Sequence, residues 1–534
     1  MTDLASFAGP FVPEILLLAA TLLVFLLDVL GVRKVEVVGG VAVGGIALAL
    51  LFVVADLGFA PFAALNALGS GQVDPSPALR AASLYTFTSL GLVFQAIFLL
   101  AALLVALAST SHPSEEKGAP VFFGLLTLAT LGMLLVAIAS DLIFLLLAVE
   151  ITSIATYLLV GYTRKDSRSL EAAMKFYIIG ALSTVLSFFG ASLLFGAYGT
   201  TNLYAIRAVA ATGSTATGGP VLVLLGYGFL IAGLAFKATL VPFHAWAVDV
   251  YDGAPTDVTA FLSGASKKVG IFAVFLLLIG PVLIVTTTGW SPFTGGSVAL
   301  GPLLQVVLAF LAILTMTVGN VLALLQKEMK RMLAYSSISQ AGYMLIGITI
   351  GTSPAIAGAT FQIFAHVFMK TGAFLVVAAV ASLGVGPLID DWKGLGSRRP
   401  LLAVTFALML LSLAGVPLTV GFLSKFVLFS AAVNAQGYFV WLAVAGLLNS
   451  ALSVFYYGRV LKVMFFDAPA PVPAPSGALS GASGPPALGA GGIGWGRAVA
   501  IGIAAVAIVA FGLYPQPVLG PIQSAAQHFI LTGA

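Results

Sequence analysis

Long apolar segments follow one another along almost the whole chain of 534 residues, and they constrain the fold more than any other feature. Each reaches the length of roughly 20 residues that a helix needs to cross the hydrocarbon layer of a bilayer. Only 8% of the residues are charged, against about 25% in soluble domains. We therefore predict an all-α polytopic membrane protein of about 14 transmembrane helices. The predicted spans are residues 11–30, 35–56, 82–108, 119–140, 141–162, 170–198, 220–251, 257–285, 303–325, 331–350, 354–384, 400–433, 437–465 and 497–514.

The composition also limits the chemistry that the chain can perform. It contains no Cys and only four His. It therefore offers no thiolate for a disulfide, a zinc site or an iron–sulfur cluster, and few ligands for haem. The sequence has no phosphate-binding loop and no dinucleotide-binding fingerprint. We expect no cofactor, metal or nucleic acid to bind this chain.

Basic residues are distributed unevenly between the predicted loops. Loops after odd-numbered spans hold 15 of the 23 Lys and Arg, whereas loops after even-numbered spans hold only Arg80 and Arg207. Because basic loops stay in the cytoplasm, we predict that both termini lie on the outer side of the membrane. Six basic residues remain, and all lie inside predicted spans: Lys175, Lys237, Lys267, Lys268, Lys370 and Lys425.

Two predicted spans are too long for one crossing and carry helix-breaking residues. Span 7 (220–251) contains Pro242, and span 12 (400–433) contains Gly415-Val416-Pro417. Proline removes a backbone hydrogen bond and clashes with the preceding turn, so both helices should break. Each break is in the fourth helix of a five-helix unit, and an odd number of crossings makes the second unit enter from the opposite side. This is the pattern of two inverted five-helix repeats, whose broken helices mark an ion or substrate path.

These features predict five regions along the chain. Residues 1–110 hold helices 1–3, residues 115–285 form the first repeat (helices 4–8) and residues 300–465 form the second repeat (helices 9–13). Residues 466–496 are rich in Pro, Ala, Gly and Ser and read as a flexible cytoplasmic linker. Residues 497–534 hold helix 14 and a tail.

Charged groups near mid-membrane are the candidate functional residues. A charge there costs about 2.5–3.5 kcal/mol on insertion scales and usually faces the bundle interior or water. The main candidates are Glu150, Lys237 beside the first break, Lys267, which we favour over Lys268, and Lys425 after the second break. Further candidates for a proton relay are Lys175, His244, His366 and Lys370, the last two being four residues apart on one helix face.

Lysine paired with a carboxylate suits reversible proton binding. Burial at low dielectric favours a neutral amine, and a nearby carboxylate favours the ammonium form. A pair that approaches and separates therefore takes up and releases a proton, and a row of Lys and His linked by water could pass protons across the bundle. For each of these candidate residues, the alternative is a purely structural role.

Several segments resemble the antiporter-like subunits of respiratory complex I and of Mrp-type cation/proton antiporters. The segment DLIFLLLAVEITSIATYLLVGY (141–162) resembles the family stretch around its helix-5 glutamate, here Glu150, and LEAAMKFYIIGA (170–181) the next helix, with Lys175. The most specific match is AFKATLVPFHAWAVDVYDGAPTDVTAFLSGASKKVG (235–270), which contains Lys237, His244 and Lys267. Two further segments complete the resemblance, GNVLALLQKEMKRMLAYSSISQAGYMLIG (319–347) and LSLAGVPLTVGFLSKF (411–426, with Lys425). The resemblance covers roughly residues 115–465.

The run DVYDGAP (249–255) and a Lys in the second broken helix are most similar to the N-type members. FAHVFMKTGAF (364–374) is instead similar to M-type, L-type or Mrp members, and Gln340 stands where many members have His. The resemblance implies a proton-translocating subunit of NADH–quinone oxidoreductase in the bacterial inner membrane, with lipids and other membrane-arm subunits as partners. NADH, FMN, iron–sulfur clusters and quinone are then expected on partner subunits, whose signal reaches Glu150.

Other functions remain open. The alternatives within the family are an Mrp-type Na+/H+ antiporter subunit and the M-type subunit of complex I. From another class, a membrane-embedded transferase acting on a lipid-linked substrate would need an acidic cluster, for which Asp249, Asp252 and Asp257 are the candidates. A purely structural scaffold would leave six Lys within spans unexplained.

Overall fold

The computed structural model describes residues 9–58, 77–111, 118–163, 166–211, 219–288, 300–469 and 492–532. These residues are almost entirely helical, and the only β-pairing among them consists of isolated bridges. Twelve of the described helices are long and apolar enough to cross a membrane. The prediction of an all-α, multi-pass membrane protein is therefore confirmed. Most of the predicted linker, residues 470–491, lies outside the described residues.

The helices follow the predicted spans closely. Helices α1 to α6 are Val12–Val29, Val35–Asp56, Ser89–Ser109, Ala119–Ala137, Leu142–Val160 and Ser167–Tyr198. Helix α7 consists of Gly219–Ala238 and Ala245–Gly253, and α8 runs without interruption through Thr256–Phe261, Leu262–Ser266 and Lys267–Thr288. Helices α9 and α10 are Leu300–Leu324 and Met329–Ile350, and α11 is Ser353–Ser382. Helix α12 consists of Pro400–Ala414 and Val420–Asn434, and α13 to α15 are Val440–Phe465, Trp495–Leu513 and Gln516–Thr532.

Two segments differ from the sequence prediction. Helix α3 begins at Ser89 rather than at residue 82, because the Thr88 side chain accepts a hydrogen bond from the Gly91 amide at 3.0 Å and caps the helix there. Helix α15 replaces the expected tail. It buries Leu519, Ile522 and Phe529 against α3 and α11, and this helical spacing of apolar residues explains why the segment folds.

Helices α8 and α11 form the centre of the bundle. Every residue in their most apolar windows is buried, whereas only about a third of the corresponding residues in α1, α2 and α6 are. The two central helices also share an irregularity, because each contains a five-residue π-helical segment, Leu262–Ser266 in α8 and Val367–Thr371 in α11. These segments pack against each other. Gly264 lies directly against Thr371 and leaves no room for a side chain.

Candidate proton-transfer site

A row of titratable side chains lies inside the bundle between α5 and α12. Five of its amines are almost completely buried, with exposed fractions of 0–4%. Each donates a hydrogen bond to a serine hydroxyl or a backbone carbonyl rather than to a carboxylate. We call the complete set of titratable side chains, which includes these five amines, the central row. Its members are Glu150, Lys237, His244, Lys267, Lys268, His366, Lys370 and Lys425.

Glu150 and Lys237 both lie at the first end of the central row. Glu150 on α5 accepts a hydrogen bond from the Thr184 hydroxyl of α6, and the Lys237 amine of α7 donates to Ser153 Oγ at 3.0 Å. Both side chains line one cavity of about 20 Å³, which is enough room for a water molecule. The carboxylate and the amine therefore share a small chamber. Lys237 also lies 5.9 Å from the centre of the Phe176 ring.

The break in α7 follows Lys237 immediately. The helix ends at Ala238, and residues 239–244 lead to the second half. Lys237 is thus in the last turn of a half-helix, where unpaired carbonyls carry a partial negative charge that favours a cation. His244 is half-buried at the start of the second half, and its imidazole lies close to the backbone of Pro242. This imidazole interacts electrostatically with Lys267.

Lys267 and Lys268 directly follow the π-helical segment of α8. The Lys267 amine donates to Ser337 Oγ of α10 at 2.9 Å, and Ser337 also contacts Ser263 Oγ at 3.1 Å. The Lys268 amine donates to the backbone carbonyl of Ser263. π-Helical turns inside α-helices often mark functional positions. Here the turn places two adjacent amines in the interior, one directed towards α10 and the other towards its own helix.

His366 and Lys370 occupy the matching irregularity in α11. The Lys370 amine donates to the Leu333 carbonyl at 2.9 Å and to the Ser336 hydroxyl, both on α10. His366 is fully buried, and neither of its ring nitrogens has a hydrogen-bond partner among the described residues. It interacts electrostatically with Lys267, Lys268 and Lys370. Because Ser336 and Ser337 are neighbours, α10 connects the amines of α8 and α11.

Lys425 lies at the second break, on the second half of α12. Its amine donates to the carbonyls of Leu413 and Ala414 at 2.8 and 3.1 Å and to Ser450 Oγ at 2.8 Å. These carbonyls belong to the last turn of the first half, so the amine is again placed at a half-helix C-terminus, whose partial negative charge favours a cation. Gly415, with φ +93°, turns the chain at this point and leaves room for the Lys425 side chain.

Two amides separate the middle of the central row from Lys425. Gln362 Nε2 donates to Gln340 Oε1 at 2.8 Å, and Ser424 Oγ donates to Gln362 Oε1 at 2.5 Å. Gln340 Nε2 donates at 3.4 Å to the Leu413 carbonyl, which also binds Lys425. The amides therefore form a connected bridge between α10, α11 and α12.

Lys175 lies apart from the central row. It forms ion pairs with Glu171 at 2.9 Å and Asp249 at 3.1 Å, and its side chain is 44% exposed. Asp249 is also paired with Arg331 at 3.1 Å. The structure therefore places Lys175 in a surface ion cluster instead of bringing it to the other candidates.

The acidic residues considered for a transferase site do not form an open cluster. Asp249 is paired with two cations, and Asp257 is buried in an ion pair with Arg497 at 3.0 Å. Asp252 lies 4.0 Å from Arg331. All three carboxylates therefore lie beside cations, Asp249 and Asp252 near Arg331 and Asp257 near Arg497.

Sequence reasoning missed the partners of the buried amines. The sequence favours Lys267 over Lys268 as a functional residue, whereas the structure buries both side chains. The serines of α10 were not identified, even though the run SSISQ (336–340) is an unusual stretch of polar residues within a predicted span. That run was the available signal.

Comparisons with known proteins show the family to which the chain belongs. Residues 139–453 match the family described as NADH:quinone oxidoreductase/Mrp antiporter, TM. The chain is 39% identical to the F(420)H(2) dehydrogenase subunit N of Methanosarcina mazei, covering 82% of this chain and 83% of that protein. It is 36% identical to the NADH-quinone oxidoreductase subunit N of Rhodospirillum rubrum, covering 100% of both.

A solved structure shows the same fold. A chain of respiratory complex I from Thermus thermophilus with bound Aureothin aligns with a TM-score of 0.69 and 30% identity, covering 95% of this chain and 98% of that one. The match spans the helices that carry the central row, and the family match includes both broken helices. The chain therefore belongs to the NADH:quinone oxidoreductase/Mrp antiporter family of transmembrane proteins, as an antiporter-like subunit similar to subunit N.

Proposed function

We propose that this chain moves protons across a bacterial inner membrane as the N-type antiporter-like subunit of an NADH–quinone oxidoreductase. The observation that carries the proposal is the central row, in which one carboxylate and five buried amines are held by hydroxyls and carbonyls between two broken helices. Buried ionisable groups in a membrane are costly and are retained where ions or protons pass. Membership of the family adds independent support.

The proposed topology has fourteen crossings, of which α4–α8 and α9–α13 form two inverted repeats, with both termini on the outer side. The order of helix packing supports the repeats, because α4 packs on α5 and α6 on α7, as α9 packs on α10 and α11 on α12. The broken helices α7 and α12 are in equivalent places. Helix α10 and the halves of α12 are not among the twelve apolar spans, and we count them as crossings because they complete the second unit.

The proposed mechanism begins at the shared chamber. When Glu150 interacts with Lys237 across the cavity, it stabilises the ammonium form of the lysine. Weakening that interaction favours release of the proton, which His244 and Lys267 receive in turn. The amines of Lys268 and Lys370 and the imidazole of His366 continue the row to Lys425, which releases the proton outward. Water from the cytoplasmic side reloads the first end.

Partner subunits supply the driving reaction. NADH oxidation, the flavin, the iron–sulfur clusters and quinone reduction are assigned to partner subunits, and this chain is proposed to hold no redox centre or metal. Neighbouring membrane-arm subunits and lipids are its expected contacts, and no nucleic acid is involved. Lys175 belongs to the surface ion cluster in this scheme, so we leave it out of the relay.

Substitution at the shared chamber tests the proposal. In the assembled complex reconstituted in liposomes, Glu150→Gln and Lys237→Met should each strongly reduce proton pumping per quinone reduced. Each substitution removes one of the two charged groups whose interaction controls proton release from Lys237. Complex assembly should be retained, as measured by copurification of the redox-active subunits. Pumping at the level of the unsubstituted complex in both variants would overturn the roles assigned.

The second candidate is an Mrp-type Na+/H+ antiporter subunit, which the family match also covers. The observation that favours it is the pair His366 and Lys370, whose segment is similar to Mrp members. Sodium-driven proton exchange by the complex, without any redox substrate, would identify that function. We expect no such exchange.

A further inference from the structure

Facing sides of α10 and α13 carry a second line of polar groups between Lys370 and Lys425. Ser336 and Tyr343 on α10 are seven residues apart, and Ser450 and Tyr457 on α13 have the same spacing. Seven residues are two helical turns, about 10.5 Å along an axis, so each pair lies on one face of its helix. We call these four residues the hydroxyl ladder.

Each end of the hydroxyl ladder touches one buried amine. Ser336 accepts a hydrogen bond from Lys370, and Tyr457 lies close to Ser336. At the other end, Ser450 accepts from Lys425 at 2.8 Å, and Tyr343 lies close to Ser450. The Lys425 amine is also 5.0 Å from the centre of the Tyr343 ring. The ladder therefore spans the interval between these two members of the central row.

The tyrosine hydroxyls of the ladder are buried next to other polar groups. Tyr343 and Tyr457 are 0% and 1% exposed. The Tyr343 hydroxyl lies close to Asn320, Ser339 and Ser450, and the Tyr457 hydroxyl lies close to Ser336 and Tyr456. Tyr456 in turn donates to Asn320 Oδ1 at 2.9 Å. Both tyrosine hydroxyls therefore have polar neighbours with which a proton can be exchanged.

The amide bridge offers a competing route with different chemistry. A hydroxyl oxygen can accept one proton while it donates another, and it rotates to do so. A glutamine side chain donates from nitrogen and accepts at oxygen, so passing a proton would leave it in an altered, higher-energy tautomer. The bridge of Gln340 and Gln362 is therefore a poor proton conductor, although it positions the Leu413 carbonyl and Ser424 around Lys425.

We propose that protons pass between Lys370 and Lys425 along the hydroxyl ladder, with water linking its two ends, and that the amide bridge carries none. The hydroxyls of Ser336 and Ser450 donate to the carbonyls of Leu333 and Ala414 at 3.1 and 2.9 Å, so each must first turn away from its carbonyl. The ammonium of Lys370 then gives its proton to Ser336 as the hydroxyl proton of Ser336 moves on to Tyr457. Successive transfers through water and Tyr343 deliver one proton to Ser450, whose own hydroxyl proton passes to the neutral amine of Lys425. No charge is created or lost, and each hydroxyl returns to its starting state. This inference rests on the function proposed above.

Removing both tyrosine hydroxyls tests the ladder. In the assembled complex in liposomes, Tyr343→Phe/Tyr457→Phe should lose as much proton pumping per quinone reduced as Lys425→Met does. The rings remain, so packing is preserved. Adding Gln340→His to the double variant should restore pumping, because an imidazole provides a titratable relay in the amide bridge. Tyr227→Phe, which alters a buried tyrosine of α7 outside the ladder, is the matched control and should pump normally.

The outcomes separate the ladder from the proposed function. If Lys425→Met loses pumping but the double tyrosine variant does not, the ladder is refuted and the central row stands. If neither variant changes pumping, both proposals fail. Loss in the double variant without rescue by Gln340→His would assign the tyrosines a structural role and would also refute the ladder.

Discussion

At the scale of single residues, Gly415 determines whether Lys425 can reach its carbonyl partners. Its φ of +93° suits glycine, and a Cβ built there would lie 3.2 Å from Lys425 Cδ and 3.4 Å from its amine. A side chain would therefore both strain the backbone and displace the lysine. Gly384 has a similar φ of +84° with nothing within 4 Å of its Cβ position. Substitutions at the two glycines therefore separate the effect of backbone strain from the effect of displacing Lys425.

We expect Gly415→Ala to reduce proton pumping and Gly384→Ala to leave it unchanged. Both variants should lose about 1–2 kcal/mol of stability through the left-handed backbone, but only the first crowds Lys425. Pumping by reconstituted complexes, together with their thermal midpoints, measures the two effects separately. Equal pumping in the two variants would show that the position of Lys425 is unimportant.

At the scale of elements, the π-helical segments determine how closely α8 and α11 approach. Gly264 in the first segment lies against Thr371 in the second, and each segment adjoins or contains buried amines. An added methyl group would push the central helices apart, because packed interiors tolerate little extra volume. Gly228 on α7 is also helical, but nothing lies within 4 Å of its Cβ position.

Gly264→Ala should destabilise the protein by about 1–3 kcal/mol and reduce pumping. Gly228→Ala should be neutral or slightly stabilising, since alanine is favoured over glycine within a helix by up to about 1 kcal/mol. Thermal unfolding of the purified complex compares the two substitutions. A stabilised Gly264→Ala protein would contradict the close approach described here.

The sequence predicted the elements better than their irregularities. Apolar segment lengths located the long helices, and Pro242 and Gly415 located both breaks, because those residues act on the backbone locally. The π-helical segments were not predictable, since one extra residue in a turn leaves the apolar pattern almost unchanged. The ion pair between Lys175 and Asp249 was not predictable for another reason, because it joins residues far apart in the chain.

At the scale of the whole molecule, one buried ion pair connects the C-terminal helices to the centre. Arg497 at the start of α14 and Asp257 at the start of α8 are 2% and 7% exposed, with 3.0 Å between Nη2 and Oδ2. Helix α14 also packs on α3 and α12. Removing one partner from a buried pair leaves an uncompensated charge, which costs about 3–5 kcal/mol.

We expect Arg497→Met to destabilise the protein by about that amount, with partial recovery in Arg497→Met/Asp257→Asn. Arg33→Met breaks an exposed pair with Asp28 and should cost at most about 1 kcal/mol. Thermal midpoints of the purified variants provide the comparison. If the arginine substitutions have the same effect, the pair does not hold α14 to the core.

In the proposed relay, the excess of bases over acids in the central row limits how many protons the row holds at once. The row contains five amines and a single carboxylate, and its amines are buried away from bulk solvent. Neighbouring positive charges in a low-dielectric interior repel one another strongly, so protonation of one amine opposes protonation of the next. Under the proposed function, the row therefore holds fewer protons than it has amines, and each proton that enters at one end displaces another from the row.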